Sequence, residues 1–206
     1  MAQKLSTMSS PIIYFIRHGE TAWNAAGRFQ GTKDIPLNDL GCEQAAHAGG
    51  ILGELVARND HALDKLVFVA SPLIRARVTM ELVRMELSLP PDGFALDDRL
   101  REIAYGAWEG STLSEMRTSH PDLFAERERD KWHVSPPGGE SYMSVTQRMR
   151  EWRDSLTADT VAVSHGGTAR ALMVAVGVAT PASAADLTIE QGAVYVFRDG
   201  QLAKYS

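Results

Sequence analysis

The sequence predicts an α/β fold, a three-layer α/β/α sandwich with a mostly parallel central sheet. Three segments, Ile12–Ile16, Leu66–Ala70 and Val161–Ser164, are short continuous apolar runs, which are typical of strands covered on both faces. Helical patterns lie between these runs along the chain. Because strands that alternate with helices form a parallel sheet between two helix layers, these two observations together define the fold class.

Length and composition agree with this fold. The chain of 206 residues, 44% of them hydrophobic, fits a single domain over residues 11–206 behind a flexible tail at 1–10. The net charge of −5 disfavours non-specific binding to nucleic acid, so we expect no nucleic-acid partner. The longest apolar region, Val161–Ala179, is interrupted by His165 and Arg170, so we expect no membrane association.

The number of cysteines indicates the redox environment in which the protein works. The single cysteine, Cys42, cannot form an intrachain disulfide, and this fits a reducing environment. The opening segment MAQKLSTMSS has no apolar run of signal-peptide length. We therefore expect a cytoplasmic protein, in which Cys42 is a small buried apolar residue and not a nucleophile.

Local patterns predict the remaining elements. Two further strands are expected at Ala95–Asp97 and Val194–Arg198. The pair Gly49–Gly50 in the first long helix costs roughly 1 kcal/mol per residue relative to alanine, which a close approach between helix and sheet would explain. The helices are predicted from an Asn38 cap to about Arg58, and over Arg75–Met85, Ser141–Leu156 and Thr168–Val176.

The segment 106–139 breaks the alternation of strands and helices. It contains two tryptophans, three prolines and the charge run ERERDK at 126–131. We predict a helical insertion over one end of the sheet, above the ligand site. The alternating charges of ERERDK indicate an exposed helix face on which opposite charges compensate each other.

Two histidine–glycine pairs follow predicted strands. His18 lies beyond the first strand, in IIYFIRHG, and His165 lies beyond the strand VAVS. Ligands of open parallel sheets bind beyond the carboxyl ends of the strands, so the two imidazoles should converge if their strands are neighbours. The glycine after each histidine allows a sharp turn and a close approach to a ligand. The other histidines, His47, His61, His120 and His133, are expected to be structural or exposed.

Arginines near these histidines distinguish between two chemistries. Two histidines and a carboxylate could hold a metal ion, but Arg17 adjoins His18, and Arg75 follows a third strand end in FVASPLIRA. Guanidinium groups repel a divalent cation and bind phosphate or carboxylate bidentately. We therefore predict no metal and no cofactor, and phosphoryl transfer through a neutral imidazole that acts as the nucleophile.

Phosphoryl transfer from an ester also needs a proton for the leaving alkoxide, which a carboxylic acid in the same pocket can supply. Glu102, in RLREIAYGAWEG, follows a strand-like segment and precedes a turn that contains glycine. It is therefore the first candidate for the proton donor. Glu109, in the same stretch, is the alternative.

Four sequence blocks occur in a fixed order between Ile12 and about Val176. They are RHGETAWNAAGRFQGTKDIPLNDLGCEQA, ASPLIRARVT, LREIAYGAWEG and VSHGGTARAL. Together they resemble the histidine phosphatase superfamily, which includes the phosphoglycerate mutases. The resemblance implies that 11–206 is one catalytic domain of this kind.

The resemblance also implies roles for individual residues. In such enzymes the first histidine, here His18, becomes phosphohistidine, and Arg17 and Arg75 bind the phosphate. His165 corresponds to a histidine that donates a hydrogen bond to the transferring group, and Glu102 to the proton donor that later activates water.

Two polar residues are assigned to phosphate binding in the same way. Asn24 matches a side-chain donor to the phosphate. Gln30 lies where the mutases typically carry a small hydroxyl residue.

Three local features resemble the phosphatase branch more than the mutases. They are YGAWEG after the proton donor, PPGGES at 136–141, and Gly167 where mutases usually have asparagine. We therefore expect hydrolysis of phosphate monoesters of small metabolites. A cofactor-dependent phosphoglycerate mutase is the alternative, in which Arg127, Arg129 and Lys131 could bind the substrate. A non-catalytic module that binds phospho-ligands is a third.

The resemblance says little about assembly. Family members are often dimers, so a homodimer is compatible with it, although the sequence itself shows no interface. The expected partner of the site is a small phosphorylated metabolite.

Overall fold

The computed structural model of the protein describes residues 10–59 and 61–206, so nearly all of the predicted tail at 1–10 lies outside the described residues. Its strands are β1 (Ile13–Arg17), β2 (Val67–Ala70), β3 (Ala95–Leu96), β4 (Thr160–Ser164), β5 (Val194–Arg198) and β6 (Gln201–Tyr205). Its helices are α1 (Ala22–Ala25), α2 (Asp39–Arg58), α3 (Ile74–Glu86), α4 (Leu113–Ser119), α5 (Pro121–Arg129), α6 (Tyr142–Asp154), α7 (Gly166–Ala175) and α8 (Pro181–Ala184).

The described strands form one sheet in the order β3-β2-β4-β1-β5-β6. The pairings β3·β2, β2·β4 and β4·β1 are parallel, whereas β1·β5 and β5·β6 are antiparallel. The predicted mostly parallel α/β fold is therefore confirmed. The antiparallel edge was not predicted, and strand β6 was missed because its side chains are largely exposed and carry no apolar run.

The two faces of the sheet are covered by different helices. Because side chains alternate along a strand, Tyr14 and Ile16 point to a core shared with α2 and α3, in which Leu52 and Met80 are buried. Ile13 and Phe15 point the other way, to a core that includes Met149 of α6 and Leu172 of α7. This gives the predicted three layers.

Capping side chains begin the two long helices at the predicted residues. Asn38 Oδ1 accepts a hydrogen bond of 2.8 Å from Gly41 N, and Ser141 Oγ accepts one of 3.2 Å from Ser144 N. A residue such as Asn or Ser is favoured here because its side chain satisfies a backbone N–H that the helix leaves unpaired.

Two expectations about α2 are wrong. Gly49 is required by close packing on α3, where a Cβ would collide with Glu86 and approach Val83, so the helix approaches another helix and not the sheet. Gly50 has open space around it, and nothing in the structure explains it. Cys42 is exposed because it lies on the outer face of the helix, next to the buried Gly41.

Residues 106–139 contain α4 and α5, and they lie at the end of the sheet where the parallel strands end. Trp108 and Trp132 of this segment are buried in the same core as α6 and α7. Trp132 stacks on Tyr142 with ring centroids 5.0 Å apart. In residues 10–59 and 61–206, no helix is both long and apolar enough to cross a membrane.

Candidate active site

Three neighbouring parallel strands deliver polar residues to one edge of the sheet. His18 follows β1, Ser71 follows β2, and His165 follows β4, which lies between the other two strands. The ladder continues one residue beyond the strands, since His18 N donates to Ser164 O at 2.9 Å and Ser71 N donates to Val163 O at 2.9 Å. The backbone positions of these residues are therefore set by the sheet.

The two imidazoles converge as the strand order requires. Their ring centroids are 5.0 Å apart, and the exposed fractions of His18 and His165 are 2% and 0%. His18 Nδ1 lies 2.7 Å from Gly19 O. A carbonyl oxygen can only accept, so Nδ1 carries the proton and Nε2 keeps its lone pair.

A glycine holds the His18 loop against helix α2. A Cβ on Gly19 would collide with the backbone of Gly41, and a Cβ on Gly41 would collide with the backbone of Glu20. Gly19 N donates to Thr79 Oγ1 at 3.1 Å, and Thr79 donates in turn to Arg75 O at 2.7 Å. The glycine after His18 thus serves a close backbone contact, whereas we had expected it to approach the ligand.

His165 is oriented by Ser71. Its Nε2 lies 2.8 Å from Ser71 Oγ, and its buried Nδ1 has no hydrogen-bond partner among the described residues. Ser71 Oγ also accepts a long hydrogen bond of 3.4 Å from Leu73 N, which leaves the hydroxyl proton to donate to Nε2. In that arrangement Nδ1 carries the proton of His165 and can donate it to a bound group.

Both imidazoles are held neutral. Burial, together with the cationic Arg75 and Arg17, lowers the pKa of His18 well below its ordinary value of 6.5. Burial and Arg75 lower the pKa of His165 in the same direction. A histidine that stays unprotonated near neutral pH is available as a nucleophile.

The two predicted arginines lie beside His18 and are held by backbone carbonyls, with Arg75 fully buried and Arg17 half-buried. Arg17 Nη1 donates to Ile189 O at 2.6 Å, and Arg75 donates to Lys33 O at 2.7 Å and to Gly31 O at 2.8 Å. The Nε of each guanidinium is buried and has no partner in the described residues. Burial lowers the pKa of Arg17 and lowers that of Arg75 to about 10, so both remain cations at neutral pH.

The structure distinguishes the two candidate acids. Glu102 lines the cavity with His18, and its carboxylate accepts hydrogen bonds from Ile103 N at 2.9 Å and Gly167 N at 3.2 Å. Glu109 does not line this cavity, because its carboxylate turns away and accepts hydrogen bonds from Thr32 N and Tyr105 N. The geometry therefore favours Glu102 over Glu109 as the candidate proton donor.

The two predicted amides also reach the cavity. Asn24 Oδ1 accepts from Thr21 N at 3.2 Å and from Gln191 Nε2 at 3.2 Å, which leaves its NH2 group to donate. Gln30 is buried, and its Oε1 has no partner in the described residues. Rotating the Gln30 amide by half a turn would place its donors at the same point.

We call the space above His18 the phosphate pocket. It has a volume of about 340 Å³ and is lined by six of the seven predicted site residues, namely Arg17, His18, Asn24, Gln30, Arg75 and Glu102. The seventh, His165, lies beside His18 and is fully buried. The other four histidines do not line the phosphate pocket. In residues 10–59 and 61–206, no group of three or more His, Cys, Asp or Glu side chains could hold a metal ion.

Sequence reasoning missed two residues near this pocket, Ser71 and Arg170, and gave a third, Arg127, only as part of the mutase alternative. Ser71 gave the same signal as the two histidines, since it too directly follows a parallel strand. Arg170 lines the pocket from α7, and its Nη1 donates to Tyr142 Oη at 3.0 Å. Arg127 of α5 lies in an adjoining cavity.

The interpretation of ERERDK as an exposed face is wrong for Arg127, which is only 7% exposed. It holds for Arg129, which is exposed and whose Nε donates to Ala125 O at 3.3 Å. Lys131 pairs with Glu128 at 3.4 Å and with Asp186 at 2.8 Å. Phe124 and Arg127 are both buried and lie three residues apart, so they share one helix face, which was the signal available in the sequence.

Comparison with known proteins identifies the family. The sequence model of the histidine phosphatase superfamily (branch 1) matches residues 13–201. The chain therefore belongs to this superfamily, whose members include phosphatases and mutases.

Individual relatives include both kinds of enzyme. The chain is 33% identical to an acid phosphatase of Mycobacterium tuberculosis over 78% of this chain and 73% of that protein. It is 29% identical to a 2,3-bisphosphoglycerate-dependent phosphoglycerate mutase of Methylocella silvestris, over 91% of each chain. The solved mycobacterial glucosyl-3-phosphoglycerate phosphatase in complex with VO3 superposes with a TM-score of 0.74 at 28% identity, covering 90% of this chain and 92% of that one.

Proposed function

We propose that the protein is a metal-independent phosphatase that hydrolyses phosphate monoesters of small metabolites through a phosphohistidine on His18. The observation that carries this proposal is the state of His18. Its imidazole is neutral, its proton is fixed on Nδ1 by Gly19 O, and beside it lie the guanidinium groups of Arg17 and Arg75, whose buried Nε atoms have no partner in the described residues.

In the first step, Nε2 of His18 attacks the phosphorus, and the bond from phosphorus to the ester oxygen breaks. The electron pair of that bond goes to the leaving oxygen, which takes a proton from the carboxylic acid of Glu102. The charge that spreads over the phosphoryl oxygens is balanced by Arg17 and Arg75, and the Nδ1–H of His165 donates a hydrogen bond to it.

In the second step, the Glu102 carboxylate takes a proton from water, and the water oxygen attacks the phosphorus. The bond from phosphorus to Nε2 breaks, and its electron pair returns to the imidazole. Inorganic phosphate leaves, and His18 and the protonated Glu102 are both restored.

Gly167, one of the three features that resemble the phosphatase branch, is matched to the position of Glu102. A Cβ at this position would collide with Glu102 Oε1 and with Ile103 Cγ2, so the carboxylate occupies the space that a longer residue would need. Gly167 N in turn donates to the same carboxylate. A glycine here therefore suits a Glu102 that lies close to α7. The mutase relatives keep isomerisation as the second candidate activity.

The test is phosphate release in excess EDTA from a panel of monoesters that includes an aryl phosphate and 3-phosphoglycerate. We expect release by the wild type and none by His18→Ala. The matched control is His133→Ala, because His133 is exposed and lies outside the pocket, and this variant should behave as the wild type.

Two results would contradict the proposal. Near wild-type release by His18→Ala would remove His18 from the reaction. Isomerisation of 3-phosphoglycerate that is stimulated by the bisphosphate, with little net phosphate release, would instead establish the mutase.

A further inference from the structure

A second cavity of about 280 Å³ adjoins the phosphate pocket. We call it the aromatic cavity, because five rings line it, those of Phe29, Tyr105, Trp108, Phe124 and Tyr142. The two cavities share Phe29, Tyr105, Leu113 and Arg170. A leaving group attached to a phosphate above His18 can therefore extend directly into the aromatic cavity.

Arg127 is the unusual residue of the aromatic cavity. Only 7% of its surface is exposed, and its Nε and Nη2 have no hydrogen-bond partner in the described residues. Its guanidinium carbon lies 5.6 Å from the ring centroid of Tyr105 and 6.0 Å from that of Tyr142. Aromatic faces offset only part of the cost of burying a cation, whereas an anion with two oxygens would satisfy both free nitrogens.

The other charged groups around the aromatic cavity already have partners. Lys131 is paired with Glu128 and Asp186, and Arg170 donates to Leu187 O at 2.8 Å and to Tyr142 Oη at 3.0 Å. No salt bridge within the described part of the chain involves Arg127. The residue is thus the cation of this cavity that is placed to receive a ligand anion.

The rest of the lining disfavours hydroxyl-rich leaving groups. Among the described residues, no Ser, Thr, Asn, Gln or His side chain lines the aromatic cavity. The two acids of the lining, Glu128 and Asp186, are both paired with Lys131, so the hydroxyls of a sugar or polyol would have to compete with these ion pairs for hydrogen bonds. Flat apolar groups, by contrast, can pack on the five rings.

We propose that the aromatic cavity binds the leaving group of the substrate and that Arg127 binds a second anionic group on it. The preferred substrates are then phosphate monoesters whose leaving group has a flat apolar body and a carboxylate or a second phosphate. This inference rests on the proposed phosphatase function and adds a substrate class to it.

The test compares esters of nearly equal shape that differ in charge. We would measure kcat/KM for meta- and para-carboxyphenyl phosphate, for their uncharged carbamoyl analogues, for para-phenylene bisphosphate and for glycerol phosphate. For the better carboxylated isomer the wild type should prefer the carboxylate to the carbamoyl group by about 10- to 100-fold, the range for a hydrogen bond to a charged group. The bisphosphate shows whether a second phosphate is preferred to a carboxylate, and glycerol phosphate should be the poorest ester.

Two variants connect this preference to Arg127. Arg127→Met keeps an unbranched side chain against the rings and should reduce the carboxylate preference to about onefold, since the charged hydrogen bond is gone. Arg129→Met, two residues along the same helix and exposed, is the matched control and should keep the wild-type ratio. A carboxylate-to-carbamoyl ratio near one in the wild type would overturn the proposal without any variant. A ratio in Arg127→Met as high as that of the wild type would also overturn it. If Arg127→Met does not fold, Arg127→Lys should still bind the carboxylated esters better than the carbamoyl ones, and an inverted ratio would contradict the proposal.

If the proposed phosphatase function itself is wrong, the result differs from the results that would overturn the role of Arg127. In that case the wild type releases no phosphate from any of these esters. Calorimetric binding of the para-carboxybenzyl and para-carbamoylbenzyl phosphonates then tests Arg127 without turnover. A preference for the carboxylated phosphonate that is lost in Arg127→Met would support the anion site, and equal binding of the two by the wild type would overturn it.

Discussion

The phosphate pocket and the aromatic cavity adjoin each other but are built in different ways. At the phosphate pocket, His18 and the neighbouring Ser71 and His165 follow the ends of hydrogen-bonded strands, and backbone carbonyls hold Arg17 and Arg75. In the aromatic cavity, Arg127 comes from the insertion at 106–139 and is held by the faces of Tyr105 and Tyr142.

This difference separates two tasks. Groups fixed by the sheet can be held within the narrow geometry that phosphoryl transfer needs. Arg127 lies on an inserted helix against Tyr105 and Tyr142, outside the strands, so this residue can be changed while the sheet keeps its pairing. Changes in the phosphate pocket should therefore affect every substrate, and changes in the aromatic cavity should affect the choice among substrates.

Glu102→Gln should give the largest effect that depends on the leaving group. For alkyl esters, release of the alcohol should fall by about 10²- to 10⁴-fold, because the alkoxide loses its proton donor. First-turnover release of a phenol from an aryl phosphate should change little, since a phenolate needs no proton to leave. Rapid-quench measurement of the first turnover checks this, and equal losses for the two classes would show that Glu102 is not the proton donor.

Arg75→Met should lower kcat/KM by about 10²- to 10³-fold for all esters alike, because a fixed cation that stabilises the transferring group is lost. This uniform loss contrasts with the selective loss expected for Arg127→Met. Steady-state kinetics on the carboxyphenyl and carbamoylphenyl pair measures both. A change in the carboxylate preference of Arg75→Met would mean that the two cavities do not act separately.

Gly167→Ala should lower the rate for alkyl esters more than the rate for aryl esters, as Glu102→Gln does, but by a smaller factor. The new Cβ collides with Glu102 Oε1 and displaces the acid. A misplacement of this kind costs up to about 10²-fold, here for alkyl esters only. Gly50→Ala is the control, because a Cβ there has nothing within 4 Å and Gly50 lies outside the phosphate pocket. Equal behaviour of the two variants would contradict the role given to Gly167.

The smallest expected effect is a shift of the acidic limb in the pH profile of kcat/KM. Burial, Arg75 and Arg17 lower the pKa of His18 well below 6.5, so His18 stays neutral at pH 6.5 and becomes protonated only in more acidic solution. The acidic limb of kcat/KM that belongs to His18 should therefore lie well below pH 6.5. In Arg75→Met this limb should move towards 6.5, because one repelling cation is gone. Comparing both proteins on the same aryl ester cancels the ionisation of the substrate, and a limb that moves to lower pH would contradict this account.

Sequence reasoning worked where a local pattern carries the structural cause. Continuous apolar runs marked the strands covered on both faces, Asn38 marked the start of α2 through its capping side chain, and apolar periodicity marked the helix that begins after Ser141. The convergence of His18 and His165 followed from the strand topology. Asn24 and Gln30, which line the same cavity as His18, followed from the resemblance to the family.

It failed where packing between distant segments decides the outcome. The run ERERDK resembles a solvated face, yet Arg127 is buried because Tyr105 and Tyr142, from other parts of the chain, cover it. Strand β6 has an exposed sequence and forms because β5 offers it an edge. Gly49 depends on the position of Glu86 in another helix. No window of local sequence contains these contacts.

The central claim is that the phosphoryl group passes through His18, and Glu102→Gln offers the most direct test of it. With an aryl phosphate this variant should still phosphorylate His18 but should hydrolyse the intermediate slowly, because the base for water is missing. After an alkaline quench, mass spectrometry should find one phosphoryl group on His18, and none in the double variant His18→Ala, Glu102→Gln. Release of the phenol by Glu102→Gln without any phosphorylated His18, or a phosphoryl group on another residue, would contradict the account.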